Sequence, residues 1–156
     1  MNDFFIMIFI SLVFVGILGI IFLVGHAYPQ DHVIDMEAIK SMESSGNPLA
    51  FNRGSQARGL YQITPIVLKE WNLYNADEKY SAEDLFRPEV NEKIAFWYMH
   101  GRIKHYLEYY QIDPTAENYL IAYHDGIGNL RRYLAGKRNL GQEMKGYLVK
   151  YAKATM

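Results

Sequence analysis

The chain has 156 residues, of which 50% are hydrophobic, 15% aromatic and 21% charged, with a formal net charge of −1. That length suits one domain and excludes a repeat array or a polytopic membrane protein, and the composition excludes a disordered chain. The lack of cysteine excludes a disulfide framework, a thiolate nucleophile, a Cys-based metal site and a lipidated anchor, and the near-neutral balance gives no nucleic-acid signal.

All 16 Lys and Arg residues lie at or beyond Lys40, and residues 4–24 carry no charge. A helix of that length spans about 31 Å at ~1.5 Å per residue, the thickness of a bilayer's hydrocarbon core. A cleaved signal peptide needs a basic start and a shorter apolar run. Met1-Asn2-Asp3 has no basic residue, although Gly25-His26-Ala27 offers small residues ahead of a cut before Tyr28. Length favours a retained transmembrane helix. Residues 1–27 are therefore expected to be a membrane anchor or signal segment, and residues 28–156 a single folded domain. Neither flank is basic, so orientation is not specified.

After a polar hinge at Pro29–His32, a helix is expected from about Asp31. Val33, Met36, Ile39 and Met42 give it one apolar face. It must stop at Ser44-Ser45-Gly46-Asn47-Pro48. Residues 47–63 read as a long loop, with room for a small hairpin. Thr64-Pro65 starts a short helix through Trp71, and Ser81 with Asp84 forms a capping-box-like pair. Pro88 opens the longest helix, with Val90, Ile94, Trp97 and Tyr98 on one side. Asp113-Pro114 starts another through Tyr123, broken by Gly126 and Gly128. Met144, Tyr147, Leu148 and Tyr151 recur at helical spacing near the end. The fold class is all-α, or α with a small β-hairpin, in about six or seven short helices.

Residues 28–130 carry nine basic and fifteen acidic side chains, whereas residues 131–156 carry seven basic and one acidic. A solvated basic helix pair explains this; contact with anionic lipid or an acidic polymer is the sharper reading. His-Glu-x-x-His, phosphate-loop, Gly-x-Ser-x-Gly and Gly-x-Gly-x-x-Gly motifs are all missing. The five histidines show no ligand spacing, and His105 with Glu108 reads as a surface pair.

Glu43 stands out on physical grounds. It sits in the last turn of an amphipathic helix, facing the negative end of the helix dipole. Partial burial beside Met42 would also penalise its ionised form. Both effects raise a carboxyl's pKa, as a general acid near neutral pH requires.

The segment Glu43-Ser44-Ser45-Gly46-Asn47-Pro48, followed by Gly59-Leu60-Tyr61-Gln62-Ile63, resembles the soluble lytic transglycosylase family of lysozyme-like enzymes. That family pairs Glu-Ser-x-x-Asn-Pro with Gly-Leu-Met-Gln-Ile or -Leu. Its third element, Ala-Tyr-Asn-x-Gly, is matched by Ala122-Tyr123-His124-Asp125-Gly126. Arg87-Pro88-Glu89-Val90-Asn91 is similar to the family's intervening helix, and Gly146-Tyr147-Leu148-Val149-Lys150 to its closing segment. The resemblance covers roughly residues 33–151.

The resemblance implies a lysozyme-like domain acting on peptidoglycan glycan strands, with no metal or organic cofactor. The scissile bond is the β-1,4 link between N-acetylmuramic acid and N-acetylglucosamine. Glu43 would protonate the leaving oxygen, then act as base toward the muramic acid 6-hydroxyl to give a 1,6-anhydro product. Ser44 is expected to bind or polarise substrate near C1, and Gln62 to line the groove. The hydroxyl of Tyr123 is expected near Glu43, and Gly59 is expected to let the loop approach the sugar closely.

The chain departs from the pattern at Tyr61, which replaces Met and offers a ring to stack on a pyranose. His124 and Asp125 replace Asn and a small residue, which puts sugar contact there in doubt. His124 would add pH sensitivity if it points into the site. Goose-type lysozymes carry an acidic residue directly after the second motif, where this chain has Thr64. That favours transglycosylation over hydrolysis, although Asp125 keeps a hydrolytic muramidase as an alternative. A non-catalytic peptidoglycan-binding module is the alternative from another class. The substrate implies a bacterial cell envelope, with the domain on the periplasmic or extracellular side of the cytoplasmic membrane that residues 4–24 would span, or secreted if cleaved near Ala27. Service in a larger envelope or secretion machine stays open.

Overall fold

The computed structural model describes residues 34–156. The transmembrane helix expected over residues 4–24 and the boundary at residue 27 lie outside them. Among the described residues the elements are helical, and none is long and apolar enough to cross a membrane.

Helix α1 spans Met36–Ser44. It starts later than the expected Asp31, because Asp35 is extended and its carboxylate accepts from the Ala38 amide at 3.1 Å. This satisfies one of the amides a helix start leaves orphaned. The buried face is Met36, Ala38 and Ile39. Ser45, in the left-handed region at φ 53°, ends the helix and returns its amide to the Ser41 carbonyl. The expected hairpin in residues 47–63 reduces to two isolated bridges, Phe51 with Arg58 and Arg58 with Ile63.

Helix α2 spans Pro65–Tyr74, and Thr64 precedes it with no side-chain cap. Ser81 and Asp84 do form the expected reciprocal pair, at the start of a 3-10 turn over Glu83–Phe86. The long helix from Pro88 is not uniform. Helix α3 (Pro88–Phe96) runs into a π-helical stretch (Trp97–Ile103), then α4 (Lys104–Tyr109). The buried ladder explains this. Val90, Ile94, Met99, Ile103 and Leu107 are all at most 2% exposed, and one step of five interrupts steps of four. Only a widened turn keeps Met99 on the face set by Ile94.

Helix α5 (Ala116–His124) begins after Thr115, whose hydroxyl accepts from the Asn118 amide at 3.2 Å, and so not at Asp113-Pro114. Its residues Tyr119, Leu120, Ile121 and Ala122 are all buried, which marks the central helix of the domain. It packs on α6 (Ile127–Leu134), on the π stretch and on α7 (Gln142–Ala154). Gly126 separates α5 from α6, whereas Gly128 sits inside α6. Helix α7 buries Met144, Tyr147 and Tyr151. It also packs on α1, where the Tyr151 hydroxyl accepts from the Asp35 amide at 2.7 Å.

Candidate active site

Glu43 ends α1 on the wall of a cavity of about 300 Å³. The same cavity is lined by Gln62 and Thr64 of the loop, Tyr123 and His124 of α5, and Glu143 of α7. Burial pushes the Glu43 carboxyl above the ordinary carboxylate range, while the Tyr147 hydroxyl and the nearby His124 and Lys150 partly offset this. The direction matches the sequence expectation, with desolvation as the largest cause.

The hydroxyl bonded to Glu43 is not that of Tyr123. Tyr147 donates to Glu43 Oε1 at 2.6 Å, across 104 residues of chain. The Tyr123 hydroxyl instead donates to the Tyr61 carbonyl at 2.6 Å. Tyr123 still senses the Glu43 charge, which with burial holds its phenol well above the usual range. The two tyrosines thus divide a role expected of one. Tyr147 holds the carboxyl, and Tyr123 holds the loop opposite. The sequence carried a trace of this in the closing segment Gly146–Lys150.

Three further expectations change. The Tyr61 ring is 2% exposed and packs in the core. It presents no face to a pyranose, and the charges its phenol senses, those of Lys40, Glu37, Glu92 and Asp35, line no part of the cleft. Gly59 is required by packing. At φ +78°, a Cβ there would lie 2.2 Å from Asn91 Nδ2 and 2.3 Å from the Leu85 carbonyl. Ser44 donates to the Leu60 carbonyl at 2.7 Å and the Lys40 carbonyl at 3.2 Å. Its hydroxyl ties the end of α1 to the loop.

The residue behind that loop is Asn91, which sequence reasoning left without a role. It is fully buried. Its Oδ1 accepts from the Tyr61 amide at 2.8 Å, and its Nδ2 donates to the Arg58 and Leu85 carbonyls at 2.9 and 2.8 Å. A buried amide with three partners fixes local backbone well. Gln62 beside it has φ +49°, a strained conformation for a non-glycine residue of the kind that clusters at functional sites. Its Nε2 donates to the Gly59 and Ala50 carbonyls at 3.1 and 3.3 Å.

His124 does point into the cleft, with its ring centroid 4.7 Å from that of Tyr147. Its Nδ1 meets Asp125 Oδ1 at 2.9 Å, and its Nε2 lies 3.9 Å from Glu143 Oε1. Asp125 does not line this cleft; its other oxygen is 3.3 Å from Arg138. The second carboxylate on the cleft is Glu143, whose side chain is 89% exposed. No group of three or more His, Asp or Glu side chains among the described residues could hold a metal ion.

Comparison with known proteins gives one family. The model described as "Transglycosylase SLT domain" matches residues 34–145, well over half of the chain. No curated protein matches.

Proposed function

We propose a reaction for this chain on the premise that it belongs to the transglycosylase SLT domain family, whose activity at the family level is peptidoglycan lytic transglycosylation. The proposed reaction cleaves the β-1,4 bond between N-acetylmuramic acid and N-acetylglucosamine. In the first step the Glu43 proton passes to the glycosidic oxygen as the bond from that oxygen to C1 breaks. The N-acetylglucosamine leaves with its 4-hydroxyl restored. In the second step the Glu43 carboxylate takes the proton from the muramic acid 6-hydroxyl as O6 bonds to C1. The product is a 1,6-anhydro end, and Glu43 is protonated again. No water is consumed, so one carboxyl serves both steps, where a hydrolase uses two.

The observation that carries this reading is the Glu43 carboxyl itself. It lies on a cleft wall with its pKa raised by burial and one oxygen held by Tyr147 at 2.6 Å. A carboxyl in that state is suited to be protonated first and basic second. Gln62 has both donors engaged in the loop, which leaves its Oε1 to accept from a sugar hydroxyl.

Hydrolysis has one observation in its favour: Glu143 lines the same cleft. Its high exposure gives it little fixed geometry from which to aim a water. In the proposed arrangement residues 4–24 anchor the chain in the cytoplasmic membrane, with residues 28–156 on the outer side beside the wall. N-terminal sequencing of the mature protein tests the anchor, since a cut after Ala27 would remove it.

The reaction is tested by digesting purified peptidoglycan and analysing the muropeptides by mass spectrometry. Anhydro-muramic ends are expected. Reducing ends carrying an added water would make the protein a muramidase. No soluble product despite retention on the glycan would make it a binding module.

A further inference from the structure

Asp125 stands where a carboxylate is poorly tolerated. It caps the end of α5, at the negative pole of that helix's dipole, and its side chain is only 14% exposed. Three contacts hold it there. Arg138 Nη2 donates to Oδ2 at 3.3 Å, and His124 Nδ1 meets Oδ1 at 2.9 Å. Asn129 Nδ2 donates to the Asp125 backbone carbonyl at 2.8 Å. A carboxylate accepts and does not donate, so Nδ1 carries the proton and the imidazole is oriented from behind.

The oriented imidazole leads on to the acid. Its centroid lies 4.7 Å from that of Tyr147, with the ring planes 47° apart, and the Tyr147 hydroxyl donates to Glu43 at 2.6 Å. Contacts therefore run without a gap from Arg138 through Asp125, His124 and Tyr147 to Glu43. They join the segment between α6 and α7, the end of α5, α7 and α1. A hydrogen-bonding side chain keeps its geometry only where packing locks its own rotamer, and here the lock on Tyr147 is a ring that is itself held. The other groups bearing on Glu43 are Lys150 of α7 and Tyr123 of α5. The other group bearing on His124 is Glu143 of α7, with Oε1 3.9 Å from Nε2.

We propose that Asp125 is a positioning residue for the Glu43 reaction: backed by Arg138, it seats His124 against Tyr147 and so keeps the Tyr147 hydroxyl on the acid. The inference rests on the reading of Glu43 as that acid. It gives a joint role to His124 and Asp125, the two positions at which Ala122–Gly126 departs from the pattern Ala-Tyr-Asn-x-Gly.

The test follows the titration of Glu43 in the full chain by 13C NMR, as the carboxyl resonance that Glu43→Gln removes. This readout needs no turnover. Asp125→Ala frees the imidazole and loosens the Tyr147 bond, which favours the ionised carboxyl, so Glu43 stays protonated to higher pH. Its midpoint is expected to rise by about half a pH unit, and kcat on peptidoglycan to fall about threefold with KM held within about twofold. Asp125→Asn keeps an acceptor for the Nδ1 proton and should return most of both changes. Arg138→Gln, at an exposed position, withdraws the support from the other side. It should raise the midpoint by a smaller amount, and it stands in should Asp125→Ala fail to fold by far-UV circular dichroism. In a Tyr147→Phe background neither substitution should move the midpoint further, because the bond through which they act is gone, whereas a simple charge effect would persist there. An unmoved midpoint in both single variants, an equal rise in Asp125→Asn and Asp125→Ala, or a further rise in the Tyr147→Phe background would each overturn the positioning role. The reaction is judged separately, by whether the unsubstituted chain yields anhydro ends.

Discussion

The two walls of the Glu43 cleft are built in opposite ways. The loop wall, residues 59–63, is fastened downward into the protein. Asn91 bonds the Tyr61 amide and the Arg58 carbonyl, Ser44 reaches the Leu60 carbonyl, and Tyr123 reaches the Tyr61 carbonyl. Every one of these contacts holds backbone. The α7 wall holds a side chain instead: Tyr147 grips the Glu43 carboxyl, His124 lies against the Tyr147 ring, and Glu143 stands in solvent. The first wall fixes the shape of the cleft, and the second tunes the acidity of the Glu43 carboxyl. Shape and acidity can thus be perturbed separately, and substitutions should sort accordingly.

The largest effect is expected where the walls converge. Glu43→Gln should lower cleavage by about a thousandfold or more, with the far-UV circular dichroism unchanged; retained turnover would remove Glu43 from the reaction. Next come the fastenings of the loop wall. Asn91→Leu leaves the Tyr61 amide and the Leu85 carbonyl unpaired, while the Arg58 carbonyl keeps the Ile63 amide, and should cost about 3 kcal/mol in urea unfolding. Gly59→Ala forces a Cβ into Asn91 and the Leu85 carbonyl and should cost a similar amount. A neutral result at both positions would mean that the loop is not held from below.

Tyr147→Phe should reduce kcat about tenfold and move the alkaline limb of the pH–rate profile upward. The sign follows from the hydrogen bond, which favours the ionised carboxyl and so lowers its pKa. Without that bond the acid stays protonated to higher pH. Tyr123→Phe should cost about 1 kcal/mol of stability and leave that limb where it is. If the two variants behave alike, the division between the walls fails.

The smallest effect is on stability against pH. The Glu43 pKa is raised by folding, so its ionised form is penalised in the native state, and stability from this group is lost as pH rises. Glu43→Gln should therefore melt higher than the parent near pH 7. The gap should close below pH 4.5, the carboxyl's ordinary value.

The raised carboxyl of Glu43 was legible because its signal is local. A Glu in the last turn of an amphipathic helix, followed by Ser-Ser-Gly-Asn-Pro, states its own environment. Its hydroxyl partner was not legible, because Tyr123 and Tyr147 both lie on apolar helix faces. Only the packing of α7 on α1, 104 residues apart in sequence, decides which one arrives. Gly59 was visible as a special position, but its reason lies in Asn91, which reads as one polar residue on a helix. Tyr61 suggested a sugar platform because an aromatic ring serves a core and a cleft equally well. The π stretch did leave a trace, in the five-residue step from Ile94 to Met99.

The pairing of α1 with α7 also has a consequence in time. Residues 142–154 are made after every other described element, yet they supply both the hydroxyl that holds Glu43 and the one that receives the Asp35 amide. Contacts separated by 104 and 116 residues form slowly, since a long loop must close first. A nascent chain, or one clipped ahead of Gln142, carries the acid without the group that tunes it. The Glu43–Tyr147 pair is thus completed only after residues 142–154 have been made.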